Sequence, residues 1–89
     1  MRLIVYGDLF LSNFEVAIMQ RQNVSSSNIH SIGYDGITRT LEIQFLDWSI
    51  YQYSHVPNHV YIGLMNAPSH GSYFHRHVKK AGFSYRKVA

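Results

Sequence analysis

The chain has 89 residues, no cysteine and a formal net charge of +3. That length specifies one domain with a limited core. The lack of cysteine excludes a disulfide-stapled secreted fold and any thiolate metal site. No run approaches the roughly 18 apolar residues of a membrane span, so the expectation is a cytoplasmic protein that does not enter a membrane.

The start, Met1 to Tyr6, is apolar with one arginine and is interrupted by Gly7-Asp8, which does not match a cleaved signal peptide. Leu3, Ile4 and Val5 suit a short strand. After Asp8, a reasonable N-cap, Phe10, Leu11, Phe14, Ala17 and Ile18 fall at helical spacing. Met19 offers an alternative translation start, so residues 1–22 are read as an N-terminal extension to a domain over residues 23–89. The apolar face of such a leader must dock on the domain or on a second copy, which makes a homodimer through the extension a second reading.

Asn23 to Asn28 is a polar loop, and Ile29 to Tyr34 reads as a strand. Tyr34-Asp35-Gly36 is a turn signal. Thr40 to Phe45 alternates, with Leu41, Ile43 and Phe45 on one face and Thr40, Glu42 and Gln44 on the other. A turn through Asp47 leads to a third strand, Ile50 to His55. Short connections make these three an antiparallel meander.

Pro57 suits the start of a helix, Val60, Tyr61, Leu64 and Met65 share a face, and Pro68 stops it. Ser69 is a good N-cap for a second helix. Its stripe is Tyr73, Phe74, His77, Val78 and Ala81, and Gly82 is the stop. Phe83 to Val88 alternates as a final short strand. The fold expected is α+β: a three-stranded antiparallel β-meander, two helices packed on one face, and a short C-terminal strand.

Charge is segregated along the chain. Residues 1–68 carry Arg2, Arg21 and Arg39 against Asp8, Glu15, Asp35, Glu42 and Asp47, a net of −2. Residues 69–89 carry Arg76, Lys79, Lys80, Arg86 and Lys87 and no acid, a net of +5. Phe83 and Tyr85 are interleaved with these cations, a mixture that suits phosphate neutralisation with stacking. The bland alternative is a solvated helix face whose cations favour a C-terminus.

Tyr51 and Tyr53 are two apart on a strand and share a face. They either stack unpaired bases or lie in the core, where each phenol wants a hydrogen-bond partner. The Ser69-His70-Gly71 corner combines an N-cap with a glycine that admits a ligand or a neighbouring segment. It reads equally as a phosphate seat or as capping and packing. Six histidines are many for this length. His75 and His77 lie about 200° apart on a helix, unlike a helical zinc pair, and with few carboxylates nearby no metal or cofactor is expected. His70, His75 or His77 with Arg76 and Lys79 would supply the acid, base and cation of a small ribonuclease. Solvated or boundary histidines are the plainer reading.

Taken together, Val24-Ser25-Ser26, Ile32 to Asp35, Thr40 to Phe45, Tyr51-Gln52-Tyr53, Val56-Pro57, Val60-Tyr61, Leu64-Met65, Ala67, Ser69-His70-Gly71, Tyr73-Phe74, Tyr85 and Val88 are informative. In that order they resemble the KTSC domain family, small domains found at the C-terminus of some lysyl-tRNA synthetases and as stand-alone bacterial and phage proteins. The resemblance covers about three quarters of the chain. It departs at Trp48, where the family has Gly, and at Phe83, near a family Tyr; residues 1–18 have no counterpart. It implies a role in RNA binding and a bacterial or phage source, and it brings no catalytic or binding residues with it.

The leading expectation is a non-catalytic RNA- or nucleotide-binding module, its ligand a tRNA, a single strand or a nucleotide. Ser69, His70, Gly71, Arg76, Lys79, Lys80, Arg86 and Lys87 are the candidates for phosphate, and Tyr51, Tyr53 or Tyr73 for stacking. An interaction or oligomerisation module and a His-dependent ribonuclease are the alternatives.

Overall fold

The computed structural model describes residues 4–5 and 18–89. In chain order the elements are β1 (Ile4–Val5), β2 (Ile18–Met19), β3 (Gln22–Asn23), β4 (Ile29–Asp35), β5 (Thr40–Phe45) and β6 (Ile50–Tyr53). Helices α1 (Asn58–Asn66) and α2 (His70–Phe74) follow. A π-helical turn over His75–Lys79 then continues α2, and β7 (Tyr85–Lys87) ends the series.

The alternation in Thr40 to Phe45 produces the central strand. Its apolar residues Leu41 and Ile43 are fully buried on the helix side. Strands β3 to β7 form one antiparallel sheet in sequence order. The expected three-stranded meander is therefore corrected to five strands. β3 escapes a reading by pattern because it is two exposed polar residues, yet Gln22 pairs with Ile32 and Asn23 with Ser31. The expected last strand is present and closes the other edge, with Tyr85 opposite Tyr53 and Lys87 opposite Tyr51.

β1 and β2 make a separate two-stranded sheet, with Val5 opposite Ile18. Ile18 is therefore in a strand rather than in the helix its spacing suggests. The remainder of that expected helix, from its Asp8 cap through Phe10, Leu11, Phe14 and Ala17, lies outside the described residues.

Both helices pack on one face of the sheet, as the apolar spacing requires. Val60, Tyr61 and Leu64 of α1, with Phe74 and Val78 after it, meet Ile32, Tyr34, Leu41, Ile43 and Tyr53. Tyr61 stacks on Tyr34 with centroids 4.7 Å apart and planes at 7°, a contact worth about 0.5–1.5 kcal/mol beyond its buried area. The Tyr34 hydroxyl donates to the Val56 carbonyl at 2.5 Å, tying the entry of α1 to the sheet. Burial raises the Tyr34 and Tyr61 phenols above their ordinary range.

Pro57 stands at the N-cap of α1, one residue ahead of the first helical position. Asp35 builds the β4–β5 turn as expected, its carboxylate accepting from the Ile37 N–H at 2.9 Å. Ser69 caps α2, its hydroxyl accepting from the Ser72 N–H at 3.2 Å. Gly82 ends the segment at φ +85°, the left-handed conformation that stops a helix.

Candidate functional site

The π turn shapes the surface around α2. The Lys80 N–H reaches back to the His75 carbonyl at 3.1 Å, a span of five residues. Phe74 and Val78 consequently both face the core. The next two rows, His75 with Lys79 and Arg76 with Lys80, face outward. Single π turns inside helices recur at functional sites, and here the turn directs two rows of polar and basic groups along one groove.

The groove has two parts. The first is a cleft of about 800 Å³ between α2 and the sheet, within the size range of small-ligand sites. Its floor is Tyr53 and Phe74, and its walls are Phe45, Tyr51 and Tyr85. Asn28, Asp47, Ser49, His75 and Lys79 form its rim. The second part is a shelf of about 630 Å³, lined by Ser69, Gly71, Ser72, Arg76 and Lys80. Ser27, Asn28, Gly71 and His75 border both, so cleft and shelf form one trough.

The aromatic lining is held edge to face. Phe45 meets Phe74 at 5.5 Å and 72°, and Tyr53 meets Phe74 at 5.5 Å and 74°. Tyr85 lies 5.6 Å from Tyr53 and 6.1 Å from Tyr51 and is 65% exposed. The edge strand thus offers a large free ring beside a buried aromatic floor.

The Asp47 carboxylate accepts from the Ser49 N–H at 3.0 Å and from its hydroxyl at 2.5 Å. These bonds, with Lys87 adding to them, hold it below the usual carboxylate range. Asp47 is therefore an ionised acceptor at the aromatic end, while Arg76 and Lys80 are at the far end.

The trough gathers only some of the residues the sequence singled out. Lys79 borders the cleft, and Ser69, Gly71, Arg76 and Lys80 line the shelf. Tyr51 is a half-buried wall. Tyr53 is a correction: it is 6% exposed, so it serves as floor and leaves no ring face to stack. Burial pushes its phenol up to about 12.

Tyr73 lies outside the trough. It packs toward α1, where Gly63 makes room for its ring, and it lies tilted against His77 with centroids 4.4 Å apart and planes at 40°. His70 also lies outside the trough. Its Nδ1 lies 2.8 Å from the Leu64 carbonyl, so the imidazole satisfies the C-terminus of α1. Arg86 is on a different surface: it donates to the Gln52 side-chain oxygen at 3.3 Å in the row with Glu42 and Gly33, on the sheet face away from the helices. Lys87 stands opposite Tyr51 on the helix side, at the outer edge of the sheet.

Gly71 has a packing role. A Cβ there would lie 2.6 Å from the Asn28 side-chain oxygen, so the missing side chain admits the β3–β4 loop rather than a ligand. The histidines do not converge. Among the described residues only His75 lines the trough, with His70 on α1 and His77 on Tyr73. Nor do three His, Asp or Glu residues cluster as metal ligands among the described residues.

Sequence reasoning did not assign Asn28, Phe45, Asp47 or Phe74 to this site. Asn28 comes from a loop far along the chain and gave no signal. Asp47 was legible only as a turn residue, and Tyr85 only as one of two aromatics in the basic tail.

An antiparallel five-stranded sheet carrying two helices on one face defines a small α+β domain. The chain belongs to the KTSC domain family, whose model matches residues 25–83. The crystal structure of a KTSC domain protein from Yersinia pestis superposes with a TM-score of 0.75 at 47% identity, covering 81% of this chain and all of that one.

An uncharacterized protein of Stutzerimonas stutzeri is 33% identical over 70 residues, 79% of this chain and 99% of its own length. A lysine–tRNA ligase of a Nostoc species is 41% identical over 63 residues, 71% of this chain and 11% of the ligase. That of Trichormus variabilis is 40% identical over the same length and fraction. The chain thus spans about a tenth of each ligase. No helix among the described residues is long and apolar enough to cross a membrane.

Proposed function

We propose that this protein is a non-catalytic RNA- or nucleotide-binding module, with the trough beside α2 as its binding surface. The single observation that carries the reading is the joining of an aromatic cleft to a basic shelf. Tyr51 and Tyr85 border one part, and Arg76 and Lys80 line the other. Cations neutralise phosphates while aromatic rings take base faces, the combination used by single-strand binders. The lysine–tRNA ligases that contain a similar stretch are named for action on a tRNA, which supports RNA as the ligand class.

The test is fluorescence anisotropy with labelled tRNA and single-stranded RNA near physiological salt. The wild-type chain is expected to bind, and a double Arg76→Ala, Lys80→Ala variant to bind more weakly with its fold intact by circular dichroism. Equal affinity in the two proteins refutes the assignment.

A further inference from the structure

The trough is polar along its length. The Asp47 acceptor lies at its aromatic end, with Lys79 also on that rim, and Arg76 and Lys80 lie at its other end. Asp47 is exposed at the rim of the cleft, with Oδ1 occupied by Ser49, so its second oxygen keeps its lone pairs for a donor. A carboxylate has no proton to give in this state and can only accept. Beside it, Tyr85 turns a mostly free ring to solvent, and Tyr51 supplies the neighbouring wall. Arg76 and Lys80 stand on the shelf beyond Asn28 and His75.

A nucleotide has the matching layout: a flat base with an edge to read, and a phosphate at the opposite end. We infer that the cleft seats one unpaired base bearing an exocyclic amino group, its face on Tyr85, Tyr51 at its side and its amino edge toward Asp47, with its phosphate on Arg76 and Lys80. This deepens the RNA-binding reading and rests on it.

Two consequences follow from the chemistry. A base inside a duplex has both faces covered by its neighbours, so it reaches an aromatic wall only when unpaired. Cytosine presents an amino donor where uracil presents a carbonyl oxygen, and a carboxylate accepts from the first and repels the second. Cytosine and uracil are otherwise nearly the same size, so the pair isolates the contribution of Asp47.

The experiment measures anisotropy of labelled 12-residue oligocytidine, oligouridine and a 12-base-pair alternating G–C RNA duplex at fixed salt. Oligocytidine is expected to bind at least about fivefold tighter than either other probe, the equivalent of about 1 kcal/mol. Tyr85→Ala, at an exposed ring, is expected to weaken oligocytidine binding by about five- to 150-fold, the range of one lost stack. Asp47→Asn is expected to bring cytidine and uridine level, because an amide can turn its donor toward the uracil oxygen.

Equal binding of all three probes, with Tyr85→Ala unchanged, overturns the base seat and leaves the phosphate surface standing. Failure to bind any probe overturns both.

Discussion

Arg21 lies over the sheet face opposite the helices and forms an ion pair with Glu42, at the centre of the sheet. The carboxylate side chain is 7% exposed. The same guanidinium donates to the Ser31 hydroxyl and to the Gln44 side-chain oxygen, both at 3.0 Å. Gln52 donates to the other Glu42 oxygen at 2.8 Å. Glycine at position 33 lets the chain approach here, since a Cβ would lie 3.0 Å from the Gln20 carbonyl. The N-terminal side of β3 is thereby fastened to the central strand by charge as well as by pairing.

Arg21→Ala leaves a buried carboxylate with Gln52 alone. Breaking a buried pair costs about 3–5 kcal/mol, and the partly exposed arginine with the surviving Gln52 bond reduces the expected loss to about 2 kcal/mol. Urea unfolding of Arg21→Ala checks this. Adding Glu42→Gln should recover part of the loss, because the uncompensated charge is then gone.

Trp48 adopts φ +72° in the turn between β5 and β6. This is the left-handed conformation that glycine adopts without a Cβ penalty. The ring is 64% exposed and rests against His30 at 4.9 Å, so it recovers little by burial. Trp48→Gly should therefore raise stability by about 0.5–1 kcal/mol, the strain released less the added chain entropy and the lost ring contact. Thermal unfolding reads the sign, and a lowered midpoint would mean that the Trp48–His30 contact outweighs the strain.

The Tyr53 phenol is raised to about 12 by burial, with its ordinary value at 10.0. The folded state thus holds the proton more tightly than the unfolded chain. That contribution is fully present below pH 10 and is lost as pH climbs from 10 through about 12. Alkaline unfolding followed by circular dichroism should steepen across that window. Tyr53→Phe, which keeps the ring against Phe74, should flatten it.

Arg86 and Arg76 lie on opposite sides of the sheet, so their replacement separates the two faces. Removing Arg76 and Lys80 should lower the magnitude of the salt slope by about 1.4, two phosphates at about 0.7 each for a single strand. Arg86→Ala should leave both affinity and slope unchanged. A full slope effect from Arg86 would move the binding surface to the other face.

The sequence by itself determined the elements whose cause is local. The alternation of Thr40 to Phe45, the Asp35 turn, the Ser69 cap and the Gly82 stop each follow from a few neighbouring residues, and all four stand in the structure. The same holds for the packing of both helices on one face, since their apolar stripes leave no other way to bury Leu64, Phe74 and Val78. Family membership was legible for the same reason, being carried by those short signatures in order.

Only tertiary structure decided the rest. β3 is strand because β4 offers it an edge, not because Gln22 and Asn23 favour one. The five tail cations are adjacent in sequence, yet Arg86 is turned to the opposite face by strand alternation while Arg76 and Lys80 share a shelf through the π turn. Tyr53 became floor and Tyr85 free ring because one lies inside the sheet and the other on its edge. Asn28 and Asp47 joined the trough from separate loops. Such positions depend on which surfaces are already covered by distant residues, and no local pattern encodes that.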